Sequence, residues 1–158
     1  MTNLEFVRID DRLIHGQVVA AWLHAYSKVS HILVVDDKTS KDQFMLDMFK
    51  MLVPSGISIE VKSVDEAVSI CKSGLKKPTM MIVKEPLTLK RMAEQGIKFE
   101  KINIGGMGMT TGRKKLFQNV SASDAERQIF KDFISAGTAV EVQIIPASKT
   151  VNVAGLVK

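Results

Sequence analysis

Apolar and polar positions along this chain fall into short blocks that change period repeatedly. Leu4 to Ile9 is apolar and rich in β-branched residues, which predicts a first strand ending in a polar loop. From Gly16 onward, Val18, Val19, Ala21, Trp22, Leu23, Ala25 and Tyr26 recur at helical spacing and predict a helix with a broad apolar stripe. His31-Ile32-Leu33-Val34-Val35 is a continuous apolar run, the pattern of a strand buried on both faces of a parallel sheet, and it ends in Asp36-Asp37. Thr39 or Ser40 can cap a second helix, in which Phe44, Met45, Met48, Phe49, Met51 and Leu52 mark a stripe that reads as core packing. Pro54-Ser55-Gly56 ends that helix.

The same grammar continues to the end. Ile57 to Val61 alternates as a strand, and Ser63-x-x-Glu66 matches a capping box for a short helix closed by Gly74. Thr79 to Val83 is a further strand, Glu85-Pro86 opens a helix closed by Gly96, and Lys101 to Ile104 is the next strand. A glycine-rich segment, Gly105 to Gly112, follows, with a short strand predicted over Leu116 to Val120. Ser123-x-x-Glu126 caps the last helix, to about Ala136, and Val140 to Ile145 forms the last strand. Alternating strands and helices with short connections require crossover helices. The expectation is one α/β domain over residues 1–158, with an open, mostly parallel β-sheet and helices on both faces.

Composition narrows the function classes. A chain of 158 residues, 46% hydrophobic and 25% charged, can build one sizeable core and is not of disordered type. The 22 basic against 17 acidic residues give a net charge of +5. The basic residues are scattered, and the few aromatics do not alternate with them, so no nucleic-acid partner is expected and an acidic protein partner is favoured. The single cysteine, Cys71, cannot form an internal disulfide and shares its apolar spacing with Ala67, Val68 and Ile70. It reads as a buried hydrophobe in a reducing compartment. Neither a signal peptide nor a membrane-spanning run is visible, so a cytoplasmic location is expected, with membrane association only through partners.

Ligands of open parallel sheets bind at the carboxyl ends of strands. Three loops qualify: Asp10 to His15, Asp36 to Ser40, and Gly105 to Gly112. The first two should be neighbours if the first two strands are. The glycine segment fails as a dinucleotide fingerprint, since Gly106-x-Gly108 is followed by Gly112 and precedes a strand. A nucleotide- or phosphate-binding module on that loop is the alternative reading. The first loop packs two arginines, two aspartates and a histidine into the eight residues Arg8 to His15, a mixture suited to phosphoryl chemistry and equally compatible with an ordinary polar loop.

His15 differs from His24, inside a helix, and from His31, at a strand start, because it stands where a loop enters a helix. The free N–H groups there, of Gly16 and Gln17, favour negative charge and can hold the oxygens of a phosphoryl group on the ring. Arg12 can supply a fixed cation to a transferring group. Arg8 and Asp10 share one side of the strand end, and Asp10 or Asp11 can orient Arg12 or the ring. No metal-ligand spacing is present, and no metal or other cofactor is expected.

Arg8-Ile9-Asp10-Asp11-Arg12-Leu13-Ile14-His15-Gly16-Gln17-Val18, with Trp22 shortly after, resembles the IIB component of the mannose/fructose/sorbose family of the bacterial sugar phosphotransferase system. Ile32 to Asp37, Asn103 to Met107 and Gly112-Arg113-Lys114 extend the resemblance over nearly the whole chain. It implies an α/β phosphocarrier enzyme of the protein-Nπ-phosphohistidine–sugar phosphotransferase type. The histidine matching His15 would accept a phosphoryl group from a IIA component and pass it to the sugar substrate translocated by membrane IIC and IID components. The arginine matching Arg12 would hold the group. IIA is expected as a separate chain. The resemblance leaves open a mainly regulatory phosphoprotein role, the identity of the sugar, the role of Met107 to Thr111, and assembly as a homo-oligomer.

Overall fold

The continuous apolar runs of the sequence become the inner strands of one sheet. The computed structural model describes residues 1–157. Its main sheet contains β1 (Leu4–Asp10), β2 (His31–Val35), β3 (Ser58–Lys62), β4 (Thr79–Val83) and β5 (Lys101–Gly106). A two-stranded antiparallel hairpin, β6 (Lys114–Phe117) with β7 (Val120–Ala122), stands apart from it. β8 (Ala139–Val142) and β9 (Val151–Asn152) return to the sheet, whose order is β3-β2-β4-β1-β5-β8-β9. All neighbours are parallel except the β8–β9 pair.

Five α-helices cover both faces: α1 (Gly16–Ala25), α2 (Gln43–Leu52), α3 (Val64–Ser73), α4 (Pro86–Glu94) and α5 (Asp124–Ser135). Successive strand residues point to opposite faces, so β4 gives Met80 and Ile82 to one core and Met81 and Val83 to the other. The first core takes Val19, Trp22 and Leu23 of α1 with Phe49 of α2; the second takes Val68, Leu89 and Phe130 of α3, α4 and α5. The chain moves outward from β1 to β2 to β3 over one face, then back through β4, β5 and β8 over the other. A reversal of direction with one crossover handedness requires that change of face. The connections leaving the neighbouring strands β1 and β5 therefore diverge, to α1 and, through the hairpin, to α5. A crevice opens between them at the carboxyl edge.

Several expectations change. β4 lies between β1 and β2, so the Asp10 and Asp36 loops are not neighbours. Thr39 does not cap α2: its N–H and hydroxyl donate to Asp36 Oδ2 at 3.0 and 2.6 Å within a short 3-10 turn, and Asp42 accepts the Met45 N–H instead. Only Phe49 of the α2 stripe is buried; Phe44, Met51 and Leu52 are exposed. The predicted last strand stops at Val142, because the Gln143 and Ile144 carbonyls turn to accept from Arg8. Both capping boxes form, at Ser63 and Ser123, and Cys71 is buried in the core.

Candidate active site

β1 ends in a tight turn, closed by the Leu13 N–H donating to the Asp10 carbonyl at 2.9 Å. Leu13 adopts φ 58°, a left-handed conformation that costs a branched residue on the order of 1 kcal/mol. Burial of Leu13 and Ile14 in the core under α1 offsets that strain, at roughly 1.5–3 kcal/mol for each side chain. The turn delivers His15 to the N-cap of α1 in extended conformation, with its carbonyl accepting the Val19 N–H at 2.9 Å. The ring is exposed and makes no capping hydrogen bond. No acidic side chain occupies the first turn of α1, so no carboxylate competes for the amides of Gly16 and Gln17.

Asp10 is the centre of the constellation and is only 1% exposed. Its Oδ1 accepts from Arg12 N and Nε at 3.0 and 3.1 Å, and its Oδ2 accepts from Arg12 Nη2 at 3.1 Å and Arg8 Nη2 at 3.2 Å. Arg12 is thus gripped by two prongs of its fork, while its side chain stays 44% exposed. The hydrogen bonds that the Arg12 guanidinium donates to Asp10 raise it above its ordinary pKa. Arg8 is buried beneath, donating also to Asn103 Oδ1 at 2.7 Å and to the Gln143 and Ile144 carbonyls at 3.1 and 2.9 Å. Its guanidinium carbon lies 5.3 Å from the Trp22 ring centre, a cation–π arrangement. Burial lowers the Arg8 pKa and the charge of Asp10 opposes that, so the group remains a cation.

The glycine segment has a steric explanation. A Cβ on Gly105 would fall 1.8 Å from the Arg8 guanidinium carbon, and one on Gly106 would fall 2.6 Å from Asp10 Oδ1. The space that glycine leaves in β5 is filled by the side chains of β1, not left as a phosphate cradle. Asp11 is held by the glycine segment: its carboxylate accepts the Gly108 N–H at 2.8 Å and lies 3.7 Å from Arg113. Arg113 is clamped on Glu126 by two hydrogen bonds of 2.9 Å and donates to the Gly108 carbonyl at 2.8 Å.

The structure therefore joins Arg8, Asp10 and Arg12 in one network, sets His15 exposed one turn later, and orients neither aspartate toward the imidazole. Gln17 is exposed in the first turn of α1. Asp36 and Asp37 serve the loop after β2, away from this network, Asp37 pairing with Arg91 at 2.8 Å. Sequence reasoning missed Asn103, Gln143 and Glu126 as supports. A polar residue between Ile102 and Ile104, in an otherwise buried strand, was the available signal for Asn103.

An exposed imidazole at a helix start thus follows, three residues on, an arginine whose guanidinium is locked by a buried carboxylate, at the carboxyl edge of a parallel α/β sheet. The chain belongs to the family described as PTS system sorbose subfamily IIB component, whose model matches residues 4–158. The sorbose-specific EIIB component of Klebsiella pneumoniae is 28% identical over 156 residues, covering 96% of this chain and 93% of that protein. The mannose-specific EIIAB component of Escherichia coli K12 is 28% identical over 152 residues, 95% of this chain and 47% of that protein. The crystal structure of manxB from Thermoanaerobacter tengcongensis matches with a TM-score of 0.90 at 32% identity, over 98% of this chain and 94% of that one. The chain accordingly falls among the sugar-specific IIB components of the phosphotransferase system, a family of the transferase class.

Proposed function

We propose that His15 carries the phosphoryl group in this transfer chain. A ring nitrogen of His15 attacks the phosphorus of a phosphohistidine on a IIA component; the new N–P bond forms as the donor's N–P bond breaks, and the electron pair returns to the donor imidazole. A sugar hydroxyl presented by the IIC and IID components then attacks the same phosphorus. The P–O bond forms, the His15 N–P bond breaks with its electron pair returning to the ring, and the ring regains the proton that the hydroxyl loses. The observation that carries this reading is the exposed His15 at the α1 N-cap, three residues after Arg12, whose guanidinium Asp10 holds in place.

The groups suit a carrier. Arg12 retains N–H donors beyond those given to Asp10, and these meet the charge that spreads over the equatorial oxygens during transfer. The amides of Gly16 and Gln17 add dipolar stabilisation of about 0.3–1 kcal/mol each, enough to accept the group without trapping it. Arg8, Asp10 and, through the Gly108 amide, Asp11 are supports. No described helix is long and apolar enough to cross a membrane. The protein would work from the cytoplasmic side, meeting the membrane through IIC and IID.

The test is incubation with the general phosphotransferase proteins, IIA and labelled phosphoenolpyruvate. An acid-labile label on the unaltered chain that is absent from His15→Ala supports the assignment; a label that persists in His15→Ala overturns it.

A further inference from the structure

We infer that Asn103 is a positioning residue for phosphoryl transfer: it fixes Arg12 through Arg8 and Asp10, and its lack of charge leaves Arg12 free to meet the phosphoryl group as a cation. Asparagine is uncommon inside strands, and here it stands within β5, fully buried between Ile102 and Ile104. A buried amide costs free energy unless both of its ends are bonded. Asn103 Oδ1 accepts from Arg8 Nη1 at 2.7 Å, and Asn103 Nδ2 donates to the Gln143 carbonyl at 3.2 Å. A guanidinium on one side and a carbonyl on the other admit only one orientation of the amide.

The grip passes outward from there. Asn103 and Arg8 are register partners on adjacent parallel strands, and Gly105 leaves the guanidinium its room. Arg8 Nη1 also donates to the Gln143 carbonyl at 3.1 Å, so amide and guanidinium share one acceptor. The guanidinium is planar and rigid, so holding Nη1 aims Nη2. Nη2 donates to Asp10 Oδ2 at 3.2 Å and to the Ile144 carbonyl at 2.9 Å. Asp10 in turn takes Arg12 by Nε and Nη2, each at 3.1 Å. Asn103 thus sets Arg12 without touching it.

The neutrality of the amide matters as much as its shape. Within the hydrogen-bonded network Asp10 is the single negative charge, shared by Arg8 and Arg12. Glu141, the register partner of Asn103 on β8, is answered by Lys101 at 3.1 Å. A carboxylate at position 103 would accept from Arg8 as readily as the amide does. It would also compete with Asp10 for Arg8 and lower the charge of the centre by one. Away from bulk water, such a change weighs heavily on negative charge that develops during transfer.

This inference rests on the phosphohistidine reading above, and the experiment separates the two. The full chain is prepared unaltered, as Asn103→Asp, Asn103→Ala and Arg12→Ala, and with each Asn103 substitution combined with Arg12→Ala. Folding is checked by urea unfolding and by the emission of Trp22, the one tryptophan, whose ring centre lies 5.3 Å from the Arg8 guanidinium carbon. Rapid-quench transfer from phosphorylated IIA is followed over a range of IIA concentrations. In Asn103→Asp and Asn103→Ala the rate at saturating IIA falls about tenfold, with the half-saturating concentration unchanged. In the Arg12→Ala background the same substitutions slow transfer less than about twofold, because the group they position is gone. Equal losses in both backgrounds overturn the proposal and leave Asn103 a structural residue. So does a full rate in either single variant, and so does failure of both to fold. Absence of an acid-labile label at His15 in the unaltered chain refutes the phosphohistidine reading instead.

Discussion

Gly105 and Arg8 share one volume: the guanidinium of the strand β1 residue fills the place that any side chain on the β5 residue would need. Arg8 has no other position that keeps its four hydrogen-bond partners, Asp10, Asn103 and the carbonyls of residues 143 and 144. Gly105→Ala is therefore expected to destabilise the fold by more than about 3 kcal/mol, since it displaces a buried, paired charge. Gly155→Ala, where nothing lies within 4 Å of the added carbon, should change stability by no more than about 0.5 kcal/mol. Urea unfolding of the two variants checks the contrast; similar midpoints would show that Arg8 moves aside at little cost.

Asp10→Asn keeps the shape of the side chain and removes the charge that faces both arginines. Arg8 is then left as an uncompensated buried cation, and a loss of about 3–5 kcal/mol is expected. Chemical denaturation measures it. A loss below about 1 kcal/mol would mean that the neutral acceptors around Arg8 suffice.

Arg12 separates stability from transfer. Its pair with Asp10 is half exposed, and Asp10 keeps Arg8 and the residue 12 amide when the side chain is removed. Arg12→Ala should unfold within about 1 kcal/mol of the unaltered chain. Phosphoryl transfer to His15 should fall about 10²-fold, the scale for losing one preorganised donor at developing charge. Rapid-quench labelling from IIA provides the rate, and an unchanged rate removes Arg12 from the chemistry.

The Arg113–Glu126 clamp predicts an acid dependence. Burial pushes the Glu126 carboxyl up, but the Arg113 hydrogen bonds and charge and the Ser123 amide outweigh it, so its pKa lies below the ordinary 4.5. A carboxyl with a lower pKa folded than unfolded contributes stability above the unfolded value and loses it as pH falls through the folded one. Glu126→Gln should be less stable than the unaltered chain at neutral pH, and the gap should narrow as pH falls below the ordinary 4.5. Thermal unfolding across that range checks the sign; a constant gap would trace the effect to packing.

The elements were legible where local chemistry decides them. Runs such as Ile32 to Val35 and Met80 to Val83 can only be strands of a doubly covered sheet, and both capping boxes sit where their Ser and Glu residues place them. The order of strands was not legible, because the insertion of β4 between β1 and β2 is a matter of which strands meet, not of local pattern. Helical spacing revealed that α2 is apolar but not which side the core would cover, so Met51 and Phe44 read as interior. The two-residue strand β9 is too short to show a period. At the site, the local cluster of Arg8, Asp10, Arg12 and His15 was visible, whereas the partners of Arg8 at positions 103, 143 and 144 are brought in by topology alone.

That reach across the chain gives Arg8 a role in timing. The residue is made among the first ten, yet two of its acceptors belong to residues 143 and 144. Until β8 docks, the arginine beneath Asp10 lacks those partners and the Asp10–Arg12 grip has no completed floor. A chain still emerging from the ribosome, or one clipped before residue 143, would possess its histidine and its arginine but not the frame that aligns them. Completion of the fold and completion of the frame beneath Arg12 thus become a single event.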